Sequence, residues 1–197
     1  MAQKAKKIVF IVNGYGCHLD TPLGSVYLPL MVRFIAENWG MLVAVIFSGG
    51  FTQCKTRPGF SEARVMADYA WKNMGLSAQP ENWHLEEDAY TSLENSQKSA
   101  SKIIQILGHR GLTYYDIRIV HGCEATRAAN VVMLDRHFMR NLVESIDDIT
   151  VETASWERAD PFKQVRNLMY NRAAIKYPWL GLAERERRRR LQRSEQI

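Results

Sequence analysis

The chain has 197 residues, 46% hydrophobic and 24% charged, with a net charge of +5. That length suits one α/β domain, and that composition excludes a disordered or fibrous chain. Three cysteines, an odd number at this length, argue against a disulfide scaffold and for a reducing compartment.

The start is basic, and the apolar run Ile8–Val12 is too short for a signal-peptide core. No stretch reaches the roughly 20 apolar residues of a membrane helix, so the expectation is a cytoplasmic protein with no membrane span. Ile8–Val12 reads as a buried strand ending in the turn Asn13-Gly14-Tyr15-Gly16. A helix is predicted from Thr21-Pro22 or Ser25 to Trp39, with Val26, Leu30, Phe34 and Ile35 inward and Gly40 closing it. Pro29 offers a later start for that helix. Met41–Phe47 is a second buried strand, and it stops at Ser48-Gly49-Gly50. Ser61 is a good N-cap for a helix whose inner face is Ala63, Met66, Ala67 and Ala70, ending near Gly75.

Asn82–Leu85 reads as a short strand. The acidic stretch from Glu86 to Asn95 leads into a helix with Leu93, Ile103, Ile104 and Leu107 inward, stopped by Gly108 or Gly111. Tyr115–Val120 is a further strand, followed by a loop His121-Gly122-Cys123-Glu124. Arg127–Val143 is an amphipathic helix through Val131, Leu134, Phe138 and Leu142. Ile149–Thr153 alternates as an edge strand does. Asp160-Pro161 opens a last core helix through Val165, Leu168 and Met169 to Tyr177. Residues 1–180 are thus expected to form one domain and 181–197 a basic tail that buries little apolar area. From Glu184 the tail has six arginines and three glutamates, a net +3. The remainder is only mildly basic, which disfavours nucleic acid as a partner.

Alternating strands and helices imply a mostly parallel sheet with helices on both faces. Three loops then lie at strand carboxyl ends: Gly14 to Cys17, Ser48 to Cys54, and His121 to Glu124. Ligands of α/β proteins bind in that crevice. The glycine turns either offer backbone N–H groups to an anion or simply permit the turns. Glu86, Glu87, Asp88 and Glu94 offer carboxylates for a general base, a metal or ribose hydroxyls. Thr91-Ser92-Leu93-Glu94 also reads as a capping box, which would occupy Glu94. Cys17, Cys54 and Cys123, with His18 and His121 beside them, lack metal-finger spacing, so no metal is assigned. Arg127 is either an anion ligand at a helix start or a solvated arginine.

The order of Ser48-Gly49-Gly50, Ser61-Glu62-Ala63 with Met66, Glu86 to Asn95, and Val120 to Ala128 with Arg127 resembles the YdcF-like (SanA/ElyC) family, over about residues 8 to 145. The resemblance implies a Rossmann-like α/β fold with a polar cleft at the strand ends. It implies cleft residues Gly14, Ser48, Gly49, Gly50, Glu62, Glu86, Glu94, Asn95 and Arg127, and S-adenosylmethionine as a conceivable cofactor. Ala89 and Ser92 stand where the family has serine and threonine, and Glu124 stands where it has histidine. Glu86, Glu94 and Glu124 are therefore the catalytic candidates, and His121 joins the ligand-binding set. The expected function is binding of a small anionic or nucleotide-like molecule, with transferase or hydrolase activity. The alternative is a non-catalytic ligand sensor or partner-binding module.

Overall fold

In a computed structural model, residues 5–53, 58–155 and 160–196 are described. Five strands form one all-parallel sheet in the order β3-β2-β1-β4-β5. They are β1 (Lys7–Asn13), β2 (Leu42–Ser48), β3 (Trp83–Glu86), β4 (Ile117–Glu124) and β5 (Ile149–Ala154). The helices are α1 (Leu28–Glu37), α2 (Glu62–Asn73), α3 (Ser92–Arg110), α4 (Ala128–Met139), α5 (Pro161–Lys176) and α6 (Leu182–Gln196). This is the expected Rossmann-like α/β architecture.

Both faces of the sheet are covered, which is why its central strands read as unbroken apolar runs. Ile8, Phe10 and Val12 of β1 pack on one face with Met31 and Ile35 of α1 and Ala63 and Met66 of α2. Val9 and Ile11 point to the other face, against Ile103 and Leu107 of α3 and Met139 at the end of α4. Among the described residues no helix is long and apolar enough to cross a membrane.

Most element boundaries follow local chemistry. The Ser61 hydroxyl accepts from the Arg64 amide and starts α2, and Gly111, at φ +60°, ends α3. Pro29 does set the start of α1, after a π-helical turn at Leu23–Tyr27. That turn leaves Val26 exposed rather than inward, and Asn38, not Gly40, closes α1. Ile104 is likewise exposed on α3.

Two departures matter for function. First, β4 runs four residues past Val120, because His121 to Glu124 pair in register with both β1 and β5 or with β5 alone. The expected loop is therefore a buried strand end. Second, α5 is not a core helix. Its buried side chains are Gln164 and Ala174, whereas Val165 and Met169 face outward. The tail, for its part, is a helix seated on the body. Arg187 of α6 pairs with Glu94 and lies over the Tyr90 ring at 5.2 Å.

Candidate functional site

The strand order changes direction at β1. Chain connections run outward to β2 and β3 on one side and to β4 and β5 on the other. A crevice is expected beyond the carboxyl ends at this switch point. A cleft of about 340 Å³ lies there. Its walls come from the loop after β1 (Gly14, Tyr15, Gly16, His18), the loop after β2 (Thr52, Gln53) and the first residue of α2, Glu62. The segment entering α3 (Ala89 to Ser92, Asn95), Arg127 before α4, and Arg190 and Arg193 of α6 complete it.

Sheet register builds the floor. Asn13, Ser48 and Glu86 are paired across β1, β2 and β3, so three polar side chains end three adjacent strands in one row. Their parity turns them toward α3, which meets them with Asn95. Asn95 Nδ2 donates to Asn13 Oδ1, and Ser48 Oγ lies 2.9 Å from Glu86 Oε2 and 3.3 Å from Asn95 Oδ1. The Asp88 amide donates to Glu86 Oε1 at 2.9 Å. A hydroxyl has one proton, so Ser48 satisfies both neighbours only when Glu86 is itself protonated. Burial pushes the Glu86 carboxyl above its usual range, opposed by the Ser48 and Asp88 hydrogen bonds. The row continues to Tyr15, whose hydroxyl accepts from Asn13 Nδ2 at 3.4 Å and from the Glu124 amide at 2.9 Å.

The glycines have a steric task. Their amides are already committed: Gly14 N–H to the Ser48 carbonyl, Gly49 N–H to Glu86, and Gly50 N–H to Ala89, all at 2.7–2.9 Å. The first amides of α2 are also filled, by the Gly50 and Gly49 carbonyls and the Ser61 hydroxyl. This turn and helix start therefore present no open cradle for an anion, correcting the backbone-donor expectation for Gly14, Gly49 and Gly50. Instead, a Cβ on Gly14 would lie 2.1 Å from Glu62 Oε2, and one on Gly49 would lie 2.8 Å from Glu62 Cβ. The two glycines leave room for the Glu62 side chain, whose Oε1 accepts from Thr52 Oγ1. A Cβ on Gly50 would meet the Ala89 and Glu87 carbonyl oxygens at 2.8 and 2.9 Å.

Of the expected site residues, Gly14, Glu62, Asn95 and Arg127 line the cleft. Ser48, Gly49, Gly50 and Glu86 sit behind its floor, all buried. The remaining three have structural partners. Glu94 accepts from the Tyr90 amide at 2.8 Å and pairs with Arg187, close to the capping reading. Glu124 is buried, and both its oxygens accept from Thr126, through the amide and the hydroxyl. His121 is a strand residue turned toward α4, where Nδ1 lies 2.8 Å from Asp135 Oδ2. Both are fully buried, and His121 does not line the cleft. Cys17 and Cys123 are buried, and burial pushes the Cys123 thiol up to about 12. Cys54 lies outside the described residues. Among the described residues no group of three His, Cys, Asp or Glu side chains is placed to hold a metal.

Sequence reasoning missed the arginines of α6. Arg187, Arg190 and Arg193 are spaced by three, which puts them on one helical stripe, and that spacing was the available signal. Arg190 shares Glu186 with Arg189. Arg127 stacks over the Tyr15 ring at 4.8 Å. Neither Arg127 nor Arg193 has a carboxylate partner among the described residues. Comparison with models of known protein families, with curated proteins and with solved structures gives no match.

Proposed function

We propose that the cleft binds a small anionic or nucleotide-like molecule, as a protein of the YdcF-like kind. The observation that carries this reading is the charge of the described lining. Arg127, Arg190 and Arg193 stand against one carboxylate, Glu62. Arg127, just before α4, and Arg193 of α6 reach the cleft with no carboxylate partner among the described residues. Guanidinium groups lining a cleft favour phosphate or carboxylate, to which they donate charge-assisted bonds. Tyr15 holds the Arg127 plane from beneath, limiting the entropy lost on binding. The volume suits a ligand of nucleotide or phosphosugar size.

Glu62 gives the ligand a second requirement. Its carboxylate at the cleft wall accepts from a hydroxyl or amine on the same molecule. If the protein is a transferase or hydrolase, Glu62 is the base this lining supports in place of Glu86, Glu94 or Glu124. The structural partners of those three carboxylates favour the second reading, a ligand sensor without chemistry. S-adenosylmethionine, with a sulfonium and an ammonium against one carboxylate, matches three arginines less well than a phosphorylated ligand does.

A thermal-shift panel of nucleotides, phosphosugars, pyrophosphate and S-adenosylmethionine tests the reading. Phosphorylated compounds should raise the melting temperature, and the rise should shrink in Arg127→Ala and Arg193→Ala. Stabilisation by S-adenosylmethionine alone, unaffected by both changes, would refute it. Turnover of a hit by wild type but not by Glu62→Gln separates enzyme from sensor.

A further inference from the structure

The outer face of α5 carries Val165 and Met169, which the sequence marks for the core, together with Phe162; Leu168, marked with them, is half-buried. Phe162 is 86% exposed, Val165 56% and Met169 67%. Spacings of three and four residues put them on one line along the helix. Trp179, 75% exposed, and Leu180 follow just beyond its C-terminal end. Buried Gln164 and Ala174 turn toward the body instead. An apolar stripe of this kind left in solvent marks an interaction surface.

The charges around it are of one sign. α5 contains Lys163, Arg166, Arg172 and Lys176 and no Asp or Glu. Residues 161–196 hold ten basic and three acidic side chains, a net +7, leaving −2 for the rest of a +5 chain. At 100° per residue, Arg166 flanks the stripe on one side and Arg172 on the other, and Lys176 stands on its line at the C-terminal end of the helix.

From this placement we infer that α5 docks on the surface of an anionic lipid bilayer. A helix lying in the interface needs an apolar line to enter the acyl boundary and long cations beside it to reach the headgroups. Phe162, Val165 and Met169 supply the line, and Arg166, Arg172 and Lys176 supply the cations. Trp179 is the residue type that settles at headgroup depth. A second copy of this chain fits less well, because an isologous contact sets two acid-free basic helices against each other. Single-stranded nucleic acid fits less well because the rings of Phe162 and Trp179 are separated by Val165 and Met169, which offer no continuous platform for successive bases to stack on. This surface involves none of the cleft residues, so it stands independently of the ligand proposed above.

The test is co-sedimentation of the full chain with phosphatidylcholine vesicles and with vesicles containing about one third phosphatidylglycerol. Wild type should bind the anionic vesicles, release them at high salt and ignore the neutral ones. Phe162→Ser with Met169→Ser should bind at least tenfold more weakly at an unchanged melting temperature, since both side chains are exposed. If that variant melts early, Arg166→Glu with Arg172→Glu is used in its place, with the same loss expected. No binding to anionic vesicles, equal binding to neutral ones, or binding unchanged in the variants overturns the proposal. So does a dimer in solution, or an RNA complex, that the same serine substitutions break while vesicle binding persists.

Discussion

Gly14→Ala is the sharpest probe of how the site is built. The added Cβ would lie 2.1 Å from Glu62 Oε2, far inside contact distance, and 3.0 Å from Glu62 Cβ and the Ser48 carbonyl oxygen. The carboxylate must swing away, breaking its bond from Thr52, or the β1 turn must shift. Overpacking of this kind costs about 1–3 kcal/mol. Much of that clash belongs to one movable carboxylate, so removing it should restore most of the loss. In a double-mutant cycle with Glu62→Ala, the coupling should be about 1 kcal/mol or more, because only the two 3.0 Å contacts remain. Gly50→Ala is the control. Its Cβ would meet two backbone oxygens at 2.8 and 2.9 Å, so Glu62→Ala should rescue none of its cost. Urea unfolding of the four proteins in each cycle gives the coupling directly. If Gly14→Ala and Glu62→Ala are additive within about 0.5 kcal/mol, the glycine does not serve Glu62 and the steric account is wrong.

Glu86→Gln tests the buried row. The folded pKa of Glu86 is raised by burial above its ordinary value of 4.5, so the folded state holds the proton more tightly. Its contribution to stability is present below the unfolded value and lost as pH rises through the folded one. Glutamine can donate to Ser48 and accept from Asp88 at every pH, so the variant should match wild type in acid and exceed it at neutral pH. Identical unfolding-versus-pH curves would reject this. Cys123, buried and with its thiol pushed up to about 12, should resist thiol reagents at pH 8 until the protein is unfolded; rapid labelling at Cys123 in native conditions, located by peptide mapping, would contradict that. Arg187→Ala removes a partly buried ion pair and a cation–π contact and should cost roughly 0.5–1 kcal/mol. Truncation after Gly181 should in addition weaken any anion that binds the cleft, through loss of Arg190 and Arg193; unchanged binding would detach α6 from the site.

The sheet was legible because its central strands are covered on both faces. Val9 to Val12 and Val43 to Phe47 leave no polar residue to argue about. β4 was harder to bound. His121, Gly122 and Glu124 look like loop residues, yet each has a buried role: a pair with Asp135, close passage beside Met31, and capping through Thr126. Periodicity reads polarity and does not see partners contributed by other elements. α5 failed for a different reason. Its apolar spacing is real, but spacing does not say which side the body occupies, and Gln164 and Ala174 take that side. Gly14, Glu62, Asn95 and Arg127, singled out from the sequence, line the cleft. Arg190 and Arg193 line it too and were missed, because a charged tail read residue by residue gives no sign of where its helix lands.

The central claim is that Arg127 holds an anion in this cleft, and calorimetric titration tests it most directly. The strongest phosphorylated hit from the panel is titrated into wild type and into Arg127→Ala. Loss of one charged hydrogen-bonding group should weaken binding by about 1.5–3 kcal/mol, with folding unchanged. Equal affinity for both proteins would show that the anion, if it binds at all, binds elsewhere.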